Sequence, residues 1–195
     1  MAKLGSSFAS TGLSANFWTA LGLATAVSSG VVYSLPTFGH VDSFAASLGG
    51  GILLLISGFF DIVDGSVARV TKRVSSKGAF LDSSFDKIAE VTIFVGIAFG
   101  KLADPVWCVI ALGLSMLVSY SRARAESVGV QLKGIGIGER AERLIILSIA
   151  GMVPINVAGG TATQSLLYWG VIAVAVVAGI TLTQRIIATT KRLST

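Results

Sequence analysis

Long apolar stretches alternate with short charged ones along this chain. A helix needs about 20 mostly apolar residues to cross the hydrocarbon core of a bilayer, and uncharged stretches of that size recur here. Clear spans are predicted at Phe17–Leu35, Ser43–Phe60 and Pro105–Ser121. The uncharged run Leu144–Gln184 is long enough for two more crossings, and turn-like segments interrupt it at Pro154–Asn156 and Gly159–Thr161.

One further span is less regular. Val91–Gly100 is apolar but short, and it reaches crossing length only if its helix begins back among Asp82, Asp86 and Glu90. Counting it predicts an all-α integral membrane protein with six transmembrane helices. We expect residues 1–195 to form a single domain. Residues 1–15 are expected to form either a helix lying on the membrane surface or a frayed terminus.

The composition supports a membrane protein, since 53% of the residues are hydrophobic and only 13% are charged. Fifteen Lys and Arg against ten Asp and Glu give a net charge of +5, which suits either nucleic acid or an anionic membrane surface. With this hydrophobicity the membrane is favoured, and no nucleic-acid partner is expected.

The loops predict the orientation in the membrane. Lys101 is the one basic residue in a loop on one side of the six predicted spans. The other side carries Lys3, Lys72, Arg73, Lys77, Arg122, Arg124, Lys133, Arg140, Arg143, Arg185, Lys191 and Arg192. Because cytoplasmic loops carry the excess of Lys and Arg, this basic side is predicted to face the cytoplasm in a multi-pass protein of the cell membrane.

Four acidic residues fall at the end of the second span and the start of the third, where burial in a membrane makes acids costly and usually functional. Asp61 and Asp64 are three residues apart, and Asp82 and Asp86 are four apart, so each pair lies on one face of its helix. A hairpin would bring the pairs together in a polar cavity on the cytoplasmic side, where their repulsion requires cations. An all-oxygen site suits Mg²⁺ or Mn²⁺, and the charge count favours two ions. The alternative is a set of exposed loop acids paired with Lys72, Arg73 and Lys77.

Small residues and one arginine stand at fixed spacing among these acids. The full pattern is Asp61-x2-Asp64-Gly65-x2-Ala68-Arg69-x8-Gly78-x3-Asp82-x3-Asp86. It resembles the signature of the CDP-alcohol phosphotransferases, integral membrane enzymes of phospholipid head-group synthesis, and every position is filled. The resemblance extends to the six-helix plan and therefore covers most of the chain.

The resemblance implies transfer of a lipid phosphate from a CDP-linked lipid to an alcohol, with release of CMP. By this analogy Asp61, Asp64 and Asp82 coordinate the metal, and Asp86 both contacts the metal site and acts as the catalytic base. The family precedent also suggests a homodimer. The residues that the analogy assigns to the CDP-lipid within the motif region are Gly65, Arg69 and Ser75.

A second family element, Pro-Asn-x-x-Thr at the entry to the first helix, corresponds to Ala15-Asn16-Phe17-Trp18-Thr19 and lacks the proline. Asn16 and Thr19 are therefore further expected contacts of the CDP-lipid. The alternative is that Asn16 is a helix N-cap and Thr19 a packing residue.

Arginines after the fourth span and at the end of the sixth are the expected acceptor site. Arg122, Arg124 and Arg185 favour a phosphorylated acceptor, because free inositol or serine would have less need of three arginines. Ser121–Glu126, Gly138–Arg143 and Thr183–Arg185 resemble the branch of phosphatidyl- and archaetidylinositol phosphate synthases, whose acceptor is inositol phosphate. Glycerol 3-phosphate is the alternative acceptor. Residues two apart on a helix point about 200° apart, so Arg122 and Arg124 share a ligand only if the helix bends or one side chain reaches around.

Other interpretations of these charges stay open at this point. The acceptor arginines also fit topology signals and lipid head-group contacts. Arg140 and Arg143 are expected to form local ion pairs with Glu139 and Glu142. A carboxylate-lined ion or proton transporter would also place acids inside a helix bundle, but it leaves the fixed small residues of the motif unexplained.

Overall fold

The computed structural model describes residues 2–71, 75–132, 134–153, 155–159 and 162–194. Over these ranges the chain forms seven α-helices and one antiparallel pair of short strands. The helices are α1 (Ala2–Ala9), α2 (Ala15–Ser34), α3 (Ser43–Val70), α4 (Ser76–Phe99), α5 (Pro105–Ser127), α6 (Arg140–Met152) and α7 (Leu166–Leu193). The strands are β1 (Asn156–Gly159) and β2 (Ala162–Ser165). The residues Lys72, Arg73, Lys133, Pro154, Gly160 and Thr161 named above lie outside the described ranges.

Helices α2 to α7 coincide with the six predicted spans. Four helical segments are long and apolar enough to cross a membrane: α3, α5, α7, and α2 together with the short 3-10 turn that extends it to Phe38. Helix α4 carries acids along its first half, and α6 has 13 residues, a length of about 20 Å. The described part of the chain is therefore mainly helical with four candidate membrane spans, and the count of six crossings stays a prediction.

The helix starts are set by side chains that accept a backbone N–H of the first turn. This arrangement satisfies an amide group that would otherwise have no partner and fixes the residue at which each helix begins. The capping residues are Ser14 for α2, Asp42 for α3, Ser75 for α4, Asp104 for α5 and Ser165 for α7.

Small residues bring the helices close together. Helix α2 packs against both α3 and α4, while α6 packs against α3 and α7. At the α2–α4 crossing, a Cβ on Gly96 would overlap the carbonyl oxygen of Gly30, so only glycine permits this approach. Because α2 packs against both helices, the second half of α3 and the first half of α4, which carry the motif acids, face one cavity beside α2.

Helix α1 covers the same end of the bundle. The Phe8 ring packs edge-on against Trp18 of α2 at a centroid distance of 5.1 Å and against Phe59 of α3 at 5.9 Å. Residues Ala2–Ala9 are therefore helical, and Phe8 anchors this helix through aromatic contacts, while its position on a membrane surface stays a prediction.

Candidate active site

The four motif acids meet in one cavity between α3 and α4. Asp61 and Asp64 come from α3, and Asp82 and Asp86 come from α4. The cavity measures about 10 Å³, close to the volume that holds a single water, so its size suits an ion. The hairpin expected from the helical spacing does bring the two pairs together. Asp64 is only 7% exposed, which excludes an exposed loop acid at that position.

Three of these acids have the arrangement of a metal site. One carboxylate oxygen from each of Asp61, Asp64 and Asp82 lies within 4.8 Å of the others. The Oδ2 atom of Asp64 is buried and accepts no hydrogen bond from any residue in the described part of the chain. A buried carboxylate oxygen without a donor is costly unless a cation satisfies it, so the donor set fits a hard divalent ion.

Asp86 lies on the same cavity but has a different partner. The Arg140 Nη1 atom, at the start of α6, is 2.7 Å from Asp86 Oδ1 and 2.8 Å from Asp61 Oδ1. The guanidinium therefore bridges the expected base and an expected metal ligand, and it offsets part of the repulsion among the acids.

The local pairing expected for Arg140 and Arg143 is wrong. Both side chains reach α4 instead: Arg140 contacts Asp86, and Arg143 contacts Glu90. The reason is that these arginines lie in the first turn of an apolar helix packed inside the bundle, where a buried guanidinium needs a buried acid as its partner. The sequence signal for these contacts is a pair of arginines three residues apart at the start of an apolar segment.

A larger groove opens beside the acids, with a volume of about 270 Å³. It lies between the start of α2, the end of α3 and the start of α4. Asp64 and Asp82 line both the groove and the acid cavity, so the two adjoin each other at these acids. The groove lining contains all five residues expected to contact the CDP-lipid, namely Asn16, Thr19, Gly65, Arg69 and Ser75.

Capping assigns clear positions to two of these groove residues. Ser75 caps α4 by accepting the N–H of Gly78 at 3.1 Å, which places its hydroxyl at the groove wall. The alternative that Asn16 caps α2 is wrong, because Ser14 accepts the N–H of Phe17 instead. Asn16 is therefore the second residue of α2, and it lines the groove.

The expected acceptor arginines have separate partners in the structure. Arg122 pairs with Glu126 on its own helix at 3.1 Å, and the Arg124 Nη1 atom lies 3.3 Å from the Ser127 hydroxyl. Arg185 is 3% exposed. It donates to the carbonyl oxygens of Val118 and Ile135, and lies 3.5 Å from Glu139. These contacts tie α7 to α5 and to the loop before α6, and each of the three arginines has its own partners among the described residues.

Comparison with known proteins gives consistent results. The chain is 35% identical to an archaetidylinositol phosphate synthase from Pyrococcus horikoshii, over 98% of this chain and 91% of that protein. It is 39% identical to a phosphatidylinositol phosphate synthase from Streptomyces avermitilis, over 71% of this chain and 59% of that protein.

The fold resembles the crystal structure of Mycobacterium tuberculosis phosphatidylinositol phosphate synthase with CDP-DAG bound. The TM-score is 0.74 at 26% sequence identity, covering 96% of this chain and 92% of that one. A structure of the same mycobacterial enzyme with manganese and citrate matches with the same TM-score of 0.74. The family profile described as CDP-alcohol phosphatidyltransferase matches residues 13–190. The chain therefore belongs to the CDP-alcohol phosphatidyltransferase family of phosphotransferase enzymes.

Proposed function

We propose that this enzyme transfers the lipid phosphate of a CDP-linked lipid to a hydroxyl group of inositol phosphate. The acceptor oxygen forms a bond to the lipid-linked phosphorus, the bond from that phosphorus to CMP breaks, and the hydroxyl proton passes to the enzyme. The observation that carries the proposal is that the groove and the acid cavity adjoin at Asp64 and Asp82, which line both. A nucleotide in the groove would present its diphosphate at the acids.

The groove residues supply the contacts for the cytidine diphosphate. Arg69 offers a planar fork of N–H donors to a phosphate, and Ser66 steadies it, since the Ser66 hydroxyl accepts from Arg69 Nη2 at 3.3 Å. The first turn of α4 lines the groove at Gly78 and Ala79, and the positive end of the helix dipole there favours an anion. Asn16 and Thr19 contribute polar side chains from the opposite wall.

Asp86 is the proposed base, and Arg140 holds it in place. The ion pair fixes one carboxylate oxygen of Asp86 and leaves the other for the acceptor hydroxyl. Asp61, Asp64 and Asp82 are the proposed metal ligands, with Asp86 at the edge of the site. Mg²⁺ or Mn²⁺, in one or two ions, supplies charge neutralisation of the diphosphate when bound.

The acceptor is inferred from the relatives and from the basic residues near the ends of α5 and α7. One of the two named relatives is an archaetidylinositol phosphate synthase and the other is a phosphatidylinositol phosphate synthase. Arg122, Arg124 and Arg185 remain the proposed holders of the acceptor phosphate, with glycerol 3-phosphate as the alternative acceptor. Arg185 also holds the loop before α6 and the end of α5, since its guanidinium donates to the carbonyl oxygens of Ile135 and Val118.

A comparison of acceptors tests the proposed substrate. With purified enzyme, Mn²⁺ and either an ester-linked or an ether-linked CDP-lipid, we expect CMP release with inositol 1-phosphate to exceed release with glycerol 3-phosphate, serine or free inositol. The physical reason is that the arginines gain charge-assisted hydrogen bonds only from a phosphate. Preference for glycerol 3-phosphate would support the arginines as a phosphate site and change only the identity of the acceptor. Preference for free inositol would contradict the assignment of the arginines to an acceptor phosphate.

A bulky side chain at position 65 should weaken binding of the CDP-linked lipid. A Cβ added to Gly65 would stand 3.3 Å from Arg69 Nη1, so the branched side chain of Gly65→Val would push the guanidinium out of the groove. We expect the KM for the CDP-linked lipid to rise about tenfold, equal to about 1.4 kcal/mol of binding, with a small change in kcat. Steady-state CMP release at varied lipid concentration measures both constants.

Gly58 provides the matched control on the same helix. No described atom lies within 4 Å of a Cβ added there, so Gly58→Val makes the same chemical change without contacting the groove. Its KM should match that of the wild type. An unchanged KM in Gly65→Val would remove the groove at Gly65 as the nucleotide site.

We also propose that the chain is one domain of six crossings that assembles as a homodimer, with the acid cavity on the cytoplasmic side of the cell membrane. The excess of Lys and Arg in the loops on that side supports this orientation. The single cysteine, Cys108, is buried, so cysteines introduced at Lys77 and at Lys101 can be labelled selectively. An impermeant reagent should reach position 101 from outside and position 77 only after the cells are opened.

A further inference from the structure

Glu90 and Arg143 form a buried ion pair one helical turn from the acid cavity. The Arg143 Nη2 atom lies 2.6 Å from Glu90 Oε1, and each side chain is 2% exposed. Arg143 also donates through Nη1 to the carbonyl oxygen of Gly138 at 2.8 Å. The second Glu90 oxygen accepts from Lys87 at 2.7 Å. This pair therefore joins α4, α6 and the loop that precedes α6.

Stability alone is a weak explanation for such a pair. Removing two charges from water costs several kcal/mol per ion by general estimates, and apolar residues of similar volume often replace a buried pair without loss. A role in positioning α6 against α4 fits the spacing of the residues on these two helices better. Glu90 lies four residues after Asp86 on α4, and Arg143 lies three residues after Arg140 on α6. The two helices are thus joined by two successive ion pairs, of which Asp86–Arg140 is in the cavity.

We propose that Glu90 and Arg143 are positioning residues that set where the Arg140 guanidinium lies between Asp61 and Asp86. The buried pair fixes the start of α6 against α4, and Arg140 is one turn away on the same helix. The N–H of Gly138 donates to Thr181 Oγ1 of α7 at 2.9 Å, so the loop held by Arg143 is also anchored on its far side. This inference rests on the proposed role of Asp86 as the base.

The test removes both charges together. The double variant Glu90→Gln, Arg143→Met removes both charges of the buried pair. It leaves Lys87 without its carboxylate partner, but that side chain is 28% exposed and can reach solvent, so the thermal unfolding temperature should stay near that of the wild type. Displacement of about 1 Å in a catalytic group costs about 100-fold in rate, and we expect kcat to fall by about that factor while the KM for the CDP-linked lipid stays unchanged. A double variant with wild-type unfolding temperature and wild-type kcat would overturn the inference. If the double variant fails to fold, the single variant Arg143→Lys is used, because it keeps the positive charge and loses the planar guanidinium. Arg143→Lys should show the same fall in kcat, and a wild-type kcat in this variant would overturn the inference.

A double-mutant cycle separates positioning from a general structural role. If the Glu90–Arg143 pair acts through Arg140, adding Glu90→Gln and Arg143→Met to an Arg140→Ala variant should lower kcat little further. Losses that multiply in full would contradict the inference.

Lys87→Met is the matched control, because it removes a cation from the same Glu90 carboxylate without breaking the link between α4 and α6. An equal loss of kcat in Lys87→Met would assign the effect to charge rather than to position, which also contradicts the inference. Wild-type CMP release is measured first, since its absence would refute the proposed function rather than this pair.

Discussion

Asp86→Asn should abolish CMP release while binding of the CDP-linked lipid largely survives. An amide cannot accept the proton of the acceptor hydroxyl, and a positioned base contributes about 10² to 10⁴ in rate, so we expect kcat to fall about 10³-fold. The groove proposed for the CDP-linked lipid keeps its lining, because the residues that form it do not include Asp86. Single-turnover CMP release and equilibrium binding of the lipid measure the two effects separately.

Asp104→Asn supplies the matched control for this variant. Asp104 is exposed and caps α5 by accepting the N–H of Val106 at 2.8 Å, and asparagine caps a helix about as well as aspartate. The same substitution there should leave turnover unchanged. Wild-type turnover in Asp86→Asn would remove Asp86 as the base, and equal loss of lipid binding and turnover would assign it to substrate binding instead.

The helices and the acid cluster were predictable because local rules determine both. Runs of apolar residues must be helical in a membrane, since every backbone N–H and C=O needs an internal partner there. Acids spaced three and four apart on two successive helices share one face of each, so a hairpin brings Asp61, Asp64, Asp82 and Asp86 together. The family pattern added the groove residues at fixed offsets from those acids.

The partners of the arginines were not predictable from local spacing. Arg140 meets Asp61 across 79 residues of sequence, and Arg143 meets Glu90 across 53. Such contacts depend on how α6 packs between α3 and α7, which no pattern within α6 specifies. The nearest acids in the sequence, Glu139 and Glu142, were therefore the wrong partners.

The acceptor arginines show the same limit in another form. Arg122 and Arg124 point to different partners, as the angle of about 200° between alternate helix positions predicts. Arg185 is buried among backbone carbonyl oxygens of α5 and of the loop before α6. The charges identified the basic end of the bundle, but the position of the Arg185 guanidinium depends on the conformation of the loop between α5 and α6.

Asp64→Asn should eliminate both metal binding and turnover, because Asp64 is the most buried of the three clustered acids and its Oδ2 has no donor among the described residues. We expect weaker Mn²⁺ binding by electron paramagnetic resonance and a fall in kcat of about 10³-fold, equal to about 4 kcal/mol of transition-state stabilisation. Asp42→Asn, at the exposed cap of α3, is the control and should change neither. Undiminished Mn²⁺ binding in Asp64→Asn would contradict the metal assignment even if turnover fell, since lost activity alone also follows from a disturbed groove.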